Sequence, residues 1–240
     1  MPNLVRSSRH TIRFANPGKR ERYAAFVSEY RRVASLLLDR LWDNGWELET
    51  DGESHVLDIP NDRLDHPRML DKRINDAVGE TSLSARALKC CSTQVCGVLG
   101  AVLERRRRIL WAIGKAKSEG NPPWRLERRF QPLVKPSVES LNPELNSICC
   151  DFSGGTAFGG FLQLKCLGKR FGRIRIPIRF HRSSDRWMNK GKMMPSFLLG
   201  KDSVSIRWDV EKPKPRMEGG DCRNRPGVEN RRHDEQWSRH

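Results

Sequence analysis

The sequence predicts an α+β chain, with long helices in its front half, short strands behind them and a disordered C-terminal tail. Three observations support this prediction. Apolar residues recur at spacings of three and four in two long segments of the front half, as in helices that bury one face. Apolar and polar residues alternate in short segments between glycines of the second half, which indicates strands. No periodicity remains after residue 211, so we expect the last segment to bury too little apolar surface to offset its ordering entropy.

The first predicted elements are a short strand over residues 9–14 and a helix that begins at Pro17 and has its apolar spacing over residues 19–42. Asn16 is a suitable N-cap, Pro17 suits the first helical position, and Asn44 with the following glycine closes the helix. One face of the helix is apolar and the other carries basic residues, namely Lys19, Arg20, Arg22, Arg31, Arg32 and Arg40. Two interpretations of the basic face stay open: a solvated surface, or a surface that follows phosphates.

A second helix is predicted over residues 82–117, after a mixed segment, 46–79, for which no element is assigned. It contains a run of four arginines, which wraps around the helix so that at least two must face solvent or a ligand. Cations near a helix C-terminus would be favourable in any case, but this helix continues past them, which favours a nucleic-acid backbone contact. Gly120 and two prolines end the helix, and a proline-rich connector follows through Pro143.

The strands of the second half are predicted over residues 148–152, 161–167, 172–180 and 203–210. In the third of these, isoleucines and Phe180 point to one side and Arg173, Arg175 and Arg179 to the other. Pro177 makes it an edge strand or a bulge. The segment 182–192 is predicted to be a loop. It adds further cations and a tryptophan, Trp187, that either stacks on a ligand or belongs to the core.

Composition limits the class of protein. The chain has 240 residues and a net charge of +16, from 45 Lys and Arg against 29 Asp and Glu, which favours a polyanionic partner such as nucleic acid. No secretory signal, amphipathic membrane helix or apolar run of membrane-spanning length is evident. The seven cysteines are an odd number and do not predict a disulfide framework. We therefore expect a cytoplasmic protein, associated with the nucleoid if bacterial, that binds no membrane.

No motif predicts an active site, a cofactor or a metal. The sequence lacks a phosphate-binding glycine loop, a dinucleotide fingerprint and a Cys-x-x-Cys pair. Cys90 and Cys91 lie in an apolar helical segment and are predicted to be small core residues. His55 and His66 have no neighbouring nucleophile or orienting group. We therefore expect a binding protein and not an enzyme.

The order of these parts, with three short stretches, resembles a known family. The first helix ends Leu-Leu-Leu-Asp-Arg-Leu-Trp, and the basic strand reads Ile-Arg-Ile-Pro-Ile-Arg-Phe-His. The last strand reads Ser-Val-Ser-Ile-Arg-Trp-Asp-Val-Glu-Lys-Pro-Lys-Pro. Over residues 9–218 this layout resembles the N-terminal half of the TnpB-like proteins of insertion sequences and their relatives, the compact type V CRISPR effectors.

The resemblance implies a helical recognition lobe inserted into a small wedge-like β-barrel, both of which grip guide RNA and the RNA–DNA duplex with its target DNA. It divides the chain into a first wedge strand (1–15), the recognition lobe (16–145), the wedge β-barrel (146–211) and a linker with a disordered tail (212–240). In that family the linker leads into a RuvC nuclease, which opens with a strand of the form Ile-x-Ile-Asp-x-Gly and is accompanied by a zinc ribbon. Neither feature is present here. The function implied is therefore nucleic-acid binding, without cleavage, by a truncated front half of a transposition-associated RNA-guided nuclease.

Two hypotheses address the tail, and two alternatives address the function. Some of the codons that can encode residues 220–227 would encode a strand of the form Ile-Asp-x-Gly if they were read one nucleotide later. The tail is therefore either the product of a frameshift or a natural basic tail. The alternative function is a stand-alone basic RNA- or DNA-binding protein or repressor with no nuclease ancestor. A third possibility is a helical scaffold whose basic face is merely solvated. The residues predicted to bind nucleic acid are Arg13, Lys19, Arg20, Arg31, Arg32, Arg105, Arg106, Arg107, Arg108, Arg173, Arg175, Arg179, Arg186, Lys190 and Lys192.

Overall fold

A computed structural model describes residues 4–44, 48–51, 54–57, 78–128, 134–155 and 157–212. Helices and strands are both present, which confirms the predicted α+β class. The predicted tail lies almost entirely outside the described residues, as does much of the segment 46–79. The elements in chain order are β1 (Leu4–Thr11), α1 (Pro17–Asn44), β2 (Leu48–Asp51), β3 (Ser54–Leu57), α2 (Ala85–Ser118), α3 (Trp124–Glu127), β4 (Glu144–Leu145), β5 (Cys150–Gly154), β6 (Gly160–Leu164), β7 (Ile174–Ile178), α4 (Arg182–Met188), β8 (Gly191–Leu199) and β9 (Ser203–Val210).

Helix α1 begins at Pro17, as predicted, and buries a continuous apolar face. The carbonyl of Asn16 accepts the backbone N–H groups of Lys19 and Arg20, at 3.0 and 3.1 Å, and so satisfies two donors of the first turn. The phenol of Tyr23, within the core, donates to the carbonyls of Gly200 and Ser203. These hydrogen bonds fix α1 against the turn between β8 and β9. The buried face consists of Tyr23, Phe26, Val27, Tyr30, Val33, Ala34, Leu37 and Leu38.

Helix α2 begins at Ala85, three residues later than predicted, because Ser84 is its cap. The Ser84 Oγ accepts a hydrogen bond from the Ala87 N–H at 3.1 Å. At the other end, Gly120, with φ of +71°, follows the C-cap residue of the helix. By length and composition this helix could cross a membrane, but 47% of its most apolar window is buried inside the protein. Its N-terminal part packs against α1 as a core helix, and core helices of soluble proteins share this composition.

The strands form three antiparallel sheets. The largest has the order β1-β9-β8-β4, the second has the order β5-β6-β7, and β2 pairs with β3. The segment from α1 to α3 is therefore inserted between two strands, β1 and β4, of a single sheet. The two larger sheets pack through aromatic rings. Phe152 stacks on Phe180 and on Phe197, and Phe180 meets the ring of Trp208 edge-on.

The predicted barrel does not close in the described part of the chain. Strand β7 is an edge of its sheet, as Pro177 predicts, and it ends at Ile178 without a backbone ladder to β1. Two histidines bridge this gap: His10 Nδ1 lies 3.1 Å from the Arg179 carbonyl, and His181 Nε2 lies 3.0 Å from the Arg9 carbonyl. Pro177 has no N–H to donate, so a ladder cannot extend along this edge. The sheets thus remain open, joined by side chains.

The prediction of a loop over residues 182–192 is wrong. The segment forms α4 and then enters β8, a nine-residue strand that the sequence interpretation missed. Strand β8 has no clear alternation, because its register against β9 shifts between Met193 and Phe197, around Pro195. A bulge of this kind breaks the two-residue period on which strand prediction depends. Helices α1 and α2 and the two larger sheets contribute to one continuous hydrophobic core.

Candidate nucleic-acid interface

Strand β7 presents arginines on one side and isoleucines on the other, as its period of two predicts. Ile174, Ile176 and Ile178 are fully buried, whereas Arg173 and Arg175 are exposed. Arg179, just after the strand, is exposed as well. Burial of the isoleucines fixes the strand, and the fixed strand holds the arginines on the outer face of its sheet.

The outer face of this sheet is positively charged overall. Its acidic residue, Asp151, lies 2.6 Å from the Lys165 ammonium. Gln163 separates Asp151 from Arg175 across the three strands, since it pairs with both in register. The Arg175 guanidinium instead lies over the ring of Phe161, at 4.1 Å from its centroid. Arg175 therefore keeps its charge available at the surface.

Three phenylalanines and two arginines form a connected row, which we call the arginine–phenylalanine row. It consists of Arg13, Phe14, Phe158, Phe161 and Arg175. The Arg13 guanidinium lies 4.9 Å from the Phe14 centroid. The Phe14 and Phe158 centroids are 5.7 Å apart, and those of Phe158 and Phe161 are 5.9 Å apart. All three rings are only half-buried, and both arginines are exposed.

Two glycines hold the middle of the row in place. Gly159 ends the β5–β6 loop and Gly160 begins β6, and each lies directly against an aromatic ring that packs on the core. A Cβ atom at Gly159 would be 2.5 Å from the Phe180 ring, and one at Gly160 would be 2.2 Å from the Phe152 ring. Only glycine permits this approach. The loop therefore lies flat on the core with Phe158 on the surface.

The basic residues of α1 have different environments. Arg31 donates to the Leu141 carbonyl at 2.7 Å. Arg32 forms two bonds with Glu29, at 2.8 and 2.9 Å, and a third with the Glu80 carbonyl. These two arginines therefore fasten α1 to neighbouring segments. Lys19 is half-buried and Arg20 is exposed, both in the first turn.

The arginine run of α2 surrounds the helix, as the sequence predicts. Arg105, Arg107 and Arg108 are exposed, which satisfies the expectation that at least two of the four face solvent. Arg108 forms an ion pair with Glu104, one turn earlier. Arg106 is only 8% exposed, and burial lowers the pKa of its guanidinium. Arg106 is thus the member of the run least accessible to a ligand.

Trp187 packs against the core and carries two arginine guanidiniums over its ring. It is half-buried and packs against the hydrophobic core. The guanidiniums of Arg6 and Arg186 lie over its ring, at 5.7 and 4.9 Å from the centroid. Two further predicted residues, Lys190 and Lys192, are exposed where β8 begins. The packing of this tryptophan agrees with the core interpretation, and its stacking on a ligand stays a prediction.

The sequence analysis missed two groups of aromatic residues: two exposed tryptophans, and the three half-buried phenylalanines of the row. Trp111 is 68% exposed on α2, with the Lys115 ammonium 5.4 Å from its ring centroid. Trp124 is 46% exposed, with Arg125 and Arg128 over its ring. The second missed group is the three phenylalanines of the row. A signal for them existed in the sequence, because Phe158 stands alone in a loop of glycines and small residues.

Among the described residues, buried His10 lies in a cluster of hydroxyl groups and a second histidine between the sheets. His10 is 2% exposed, contacts the hydroxyls of Ser8 and Ser184, and stacks on His181. Burial, opposed by the bond to the Arg179 carbonyl, lowers its pKa. No carboxylate orients this imidazole among the contacts of the described residues, so the cluster serves to join the sheets.

The cysteines are mostly core residues. Cys91 is fully buried and Cys90 is 9% exposed, which confirms the prediction for both. The Cys149 thiol is hydrogen-bonded to Cys90, and this bond holds the pKa of Cys90 below its usual range. In the described ranges, no group of three or more His, Cys, Asp or Glu side chains could hold a metal ion.

Comparison with known proteins gives no family. No protein-family model matches the chain, and no curated protein matches it. The function is therefore inferred from the residues and their geometry.

Proposed function

We propose that this protein binds nucleic acid in the cytoplasm, as the front half of a transposon-associated RNA-guided DNA nuclease, and that it does not itself cleave DNA. The nucleic acids are the guide RNA and its RNA–DNA duplex. The observation that carries the proposal is the set of exposed arginines interleaved with half-exposed aromatic rings on a chain of net charge +16. Guanidinium groups attract phosphates, and aromatic faces accept bases.

The topology supports the family part of the proposal. Helices α1 to α3 are inserted between β1 and β4 of one sheet, which is the arrangement that the resemblance to TnpB-like proteins implies. In this proposal the two packed sheets correspond to the wedge module and the helices to the recognition lobe. Base pairing by the guide would supply sequence specificity, while the protein contacts backbone and shape.

The arginine face of β7 gives the first test. Changing Arg173, Arg175 and Arg179 together to alanine should weaken RNA binding. If each arginine meets one phosphate, the slope of log affinity against log salt should fall by about 2–3, since each phosphate contributes about 0.7–0.9. Fluorescence anisotropy with a labelled RNA, measured over a range of salt concentrations, gives both quantities.

The matched control changes the same three residues to lysine, which keeps the charge and should keep most of the salt slope. The buried isoleucines of β7 are unchanged in both variants, so both should fold. If the alanine variant is folded and its affinity and salt slope equal those of the wild type, the β7 face is not part of the site.

A stand-alone nucleic-acid-binding protein would use the same surface, so binding experiments do not separate it from the proposed ancestry. The gene does separate them. A downstream reading frame beyond codon 218 that encodes the RuvC carboxylate motifs and paired Cys-x-x-Cys would support the nuclease ancestry. An unrelated downstream sequence would favour the stand-alone protein.

A further inference from the structure

We propose that the arginine–phenylalanine row binds single-stranded nucleic acid, with unpaired bases on its phenylalanine rings and phosphates on Arg13 and Arg175. This inference rests on the proposed function, because it specifies which form of nucleic acid one part of the surface accepts. A ligand for the row must supply flat apolar faces and negative charges in alternation. Single-stranded RNA or DNA has this chemistry, since every base has a π-face and every linkage carries a charge.

The spacing of the rings favours an unstacked strand. Neighbouring ring centroids along the row are 5.7 and 5.9 Å apart. Stacked bases of one strand in a duplex rise by about 3.4 Å each. Bases that occupy successive positions on the row must therefore separate from one another, which a single strand does readily. In a duplex the base faces are covered by their neighbours, so a duplex could reach this row only through its phosphates.

The rings are held in position before any ligand arrives. Phe161 lies on β6 opposite Pro177 of β7, and Phe158 lies in the loop that Gly159 and Gly160 hold against the core. The rings are inclined to one another, at 55° between Phe14 and Phe158 and 69° between Phe158 and Phe161, so their planes differ along the row. Preorganised rings lose little conformational freedom on binding.

The charges at both ends of the row are available to a ligand. Neither Arg13 nor Arg175 forms an ion pair with any residue of the described ranges. The acidic residue on the same sheet face, Asp151, is bound by Lys165. Each arginine lies over a terminal ring, so a base at that position would stack on the ring or on the guanidinium plane that covers it, while the guanidinium donates outward to a phosphate.

Replacement of Phe158 by leucine tests the inference. Leucine keeps an apolar side chain in the loop but removes the aromatic face. The full chain is titrated against fluorescein-labelled 12-nucleotide oligouridylate and oligothymidylate, and against a 12-base-pair RNA duplex. We expect F158L to weaken binding of both single strands by about 5- to 150-fold, the usual range for one base–aromatic stack. Duplex affinity should stay within about twofold of the wild type, and the salt slope should not change.

Replacement of Phe158 by tryptophan is the matched control, because it retains a stacking face and should bind single strands at least as well as the wild type. Binding of only one of the two strands would still support the row and assign it to RNA or to DNA. Three results would overturn the inference: equal single-strand affinity for F158L and wild type, an equal loss for the duplex, or displacement by polyglutamate as efficient as displacement by unlabelled oligouridylate. The last result would indicate a site for an acidic polypeptide.

Failure of this inference differs from failure of the proposed function. If the wild type binds neither single strands nor duplex, the proposed function is wrong. If the Arg173, Arg175 and Arg179 alanine variant loses binding while F158L does not, nucleic-acid binding stands and only the role of the phenylalanine rings of the row is wrong.

Discussion

The Glu29 carboxylate joins α1 to the segment that leads into α2. It accepts bonds from Arg32, from the Thr81 hydroxyl and from the Ser82 N–H. These donors, Arg32 first, lower its pKa from 4.5 to about 2. Arg32 was predicted to meet phosphate, and here its charge stabilises a contact between segments.

We predict that Glu29→Gln lowers the free energy of unfolding by about 1–2 kcal/mol at pH 7, a discounted figure because Arg32 is exposed to solvent. Because the folded state depresses this pKa, the stabilisation is complete above about pH 4.5 and is lost as the pH falls towards 2. Urea unfolding at pH 7, 4 and 3 measures the effect. A difference between variant and wild type that does not shrink with acidification would contradict the assignment to this ionisation.

The start of α2 depends on the loop between β6 and β7. The Ser84 N–H donates to the Leu167 carbonyl at 2.9 Å, and the Ser84 hydroxyl donates to the Cys166 carbonyl. Gly168 has φ of +139°, and a Cβ atom there would be 1.9 Å from the Ser82 carbonyl oxygen. The helix cap and the loop therefore fit together only with glycine at this position.

Two glycine substitutions should have opposite effects. Gly168→Ala should destabilise the protein by at least about 2 kcal/mol, because it adds both a forbidden φ and a clash with backbone. Gly114→Ala, within α2, meets nothing within 4 Å and should stabilise by about 0.5–1 kcal/mol. Thermal unfolding followed by circular dichroism compares the two. Equal tolerance of both substitutions would show that the loop does not constrain the helix.

At the scale of the whole molecule, the cations occupy several separate surfaces. The predicted binding residues are exposed except for Lys19, Arg31 and Arg106. They lie between β1 and α1, on α1, on α2, on or beside β7, and in the region from α4 to β8. Aromatic rings accompany them at the row, at Trp187 and at Trp111 and Trp124. A long nucleic acid could contact several of these surfaces together, which would give a steep salt dependence.

We predict that the 240-residue chain, incubated with Mg²⁺ or Mn²⁺, guide RNA and matching DNA, gives no cleavage above a mock purification. Two-metal cleavage of a phosphodiester needs carboxylates that hold both ions, and the sequence lacks the motif that begins such a triad. Gel analysis of labelled DNA is the measurement. Cleavage that follows the protein through successive purification steps would show that an active site exists.

The sequence by itself determined the elements whose pattern is local. The spacing of apolar residues predicted α1 and α2, and the alternation in β7 predicted which of its side chains are buried and which are exposed. Strand β9 has the predicted bounds as well, Ser203–Val210. In a helix or an unbroken strand the apolar residues recur at a fixed spacing, because the same face meets the core at each repeat. The bulge in β8 removed that period, and the strand was missed.

Only the tertiary structure decided which residues share a surface. Arg13, Phe158 and Arg175 are far apart in the chain, and they meet because β6 pairs with β7 and the β5–β6 loop lies beside the segment after β1. Tertiary contacts also decided that Arg31 and Arg32 donate to the backbone carbonyls of Leu141 and Glu80, while Arg106 is buried. The identity of a charged residue does not indicate which distant residues will lie beside it in the folded chain. Whether its charge meets a ligand or another part of the chain therefore depends on how the elements pack.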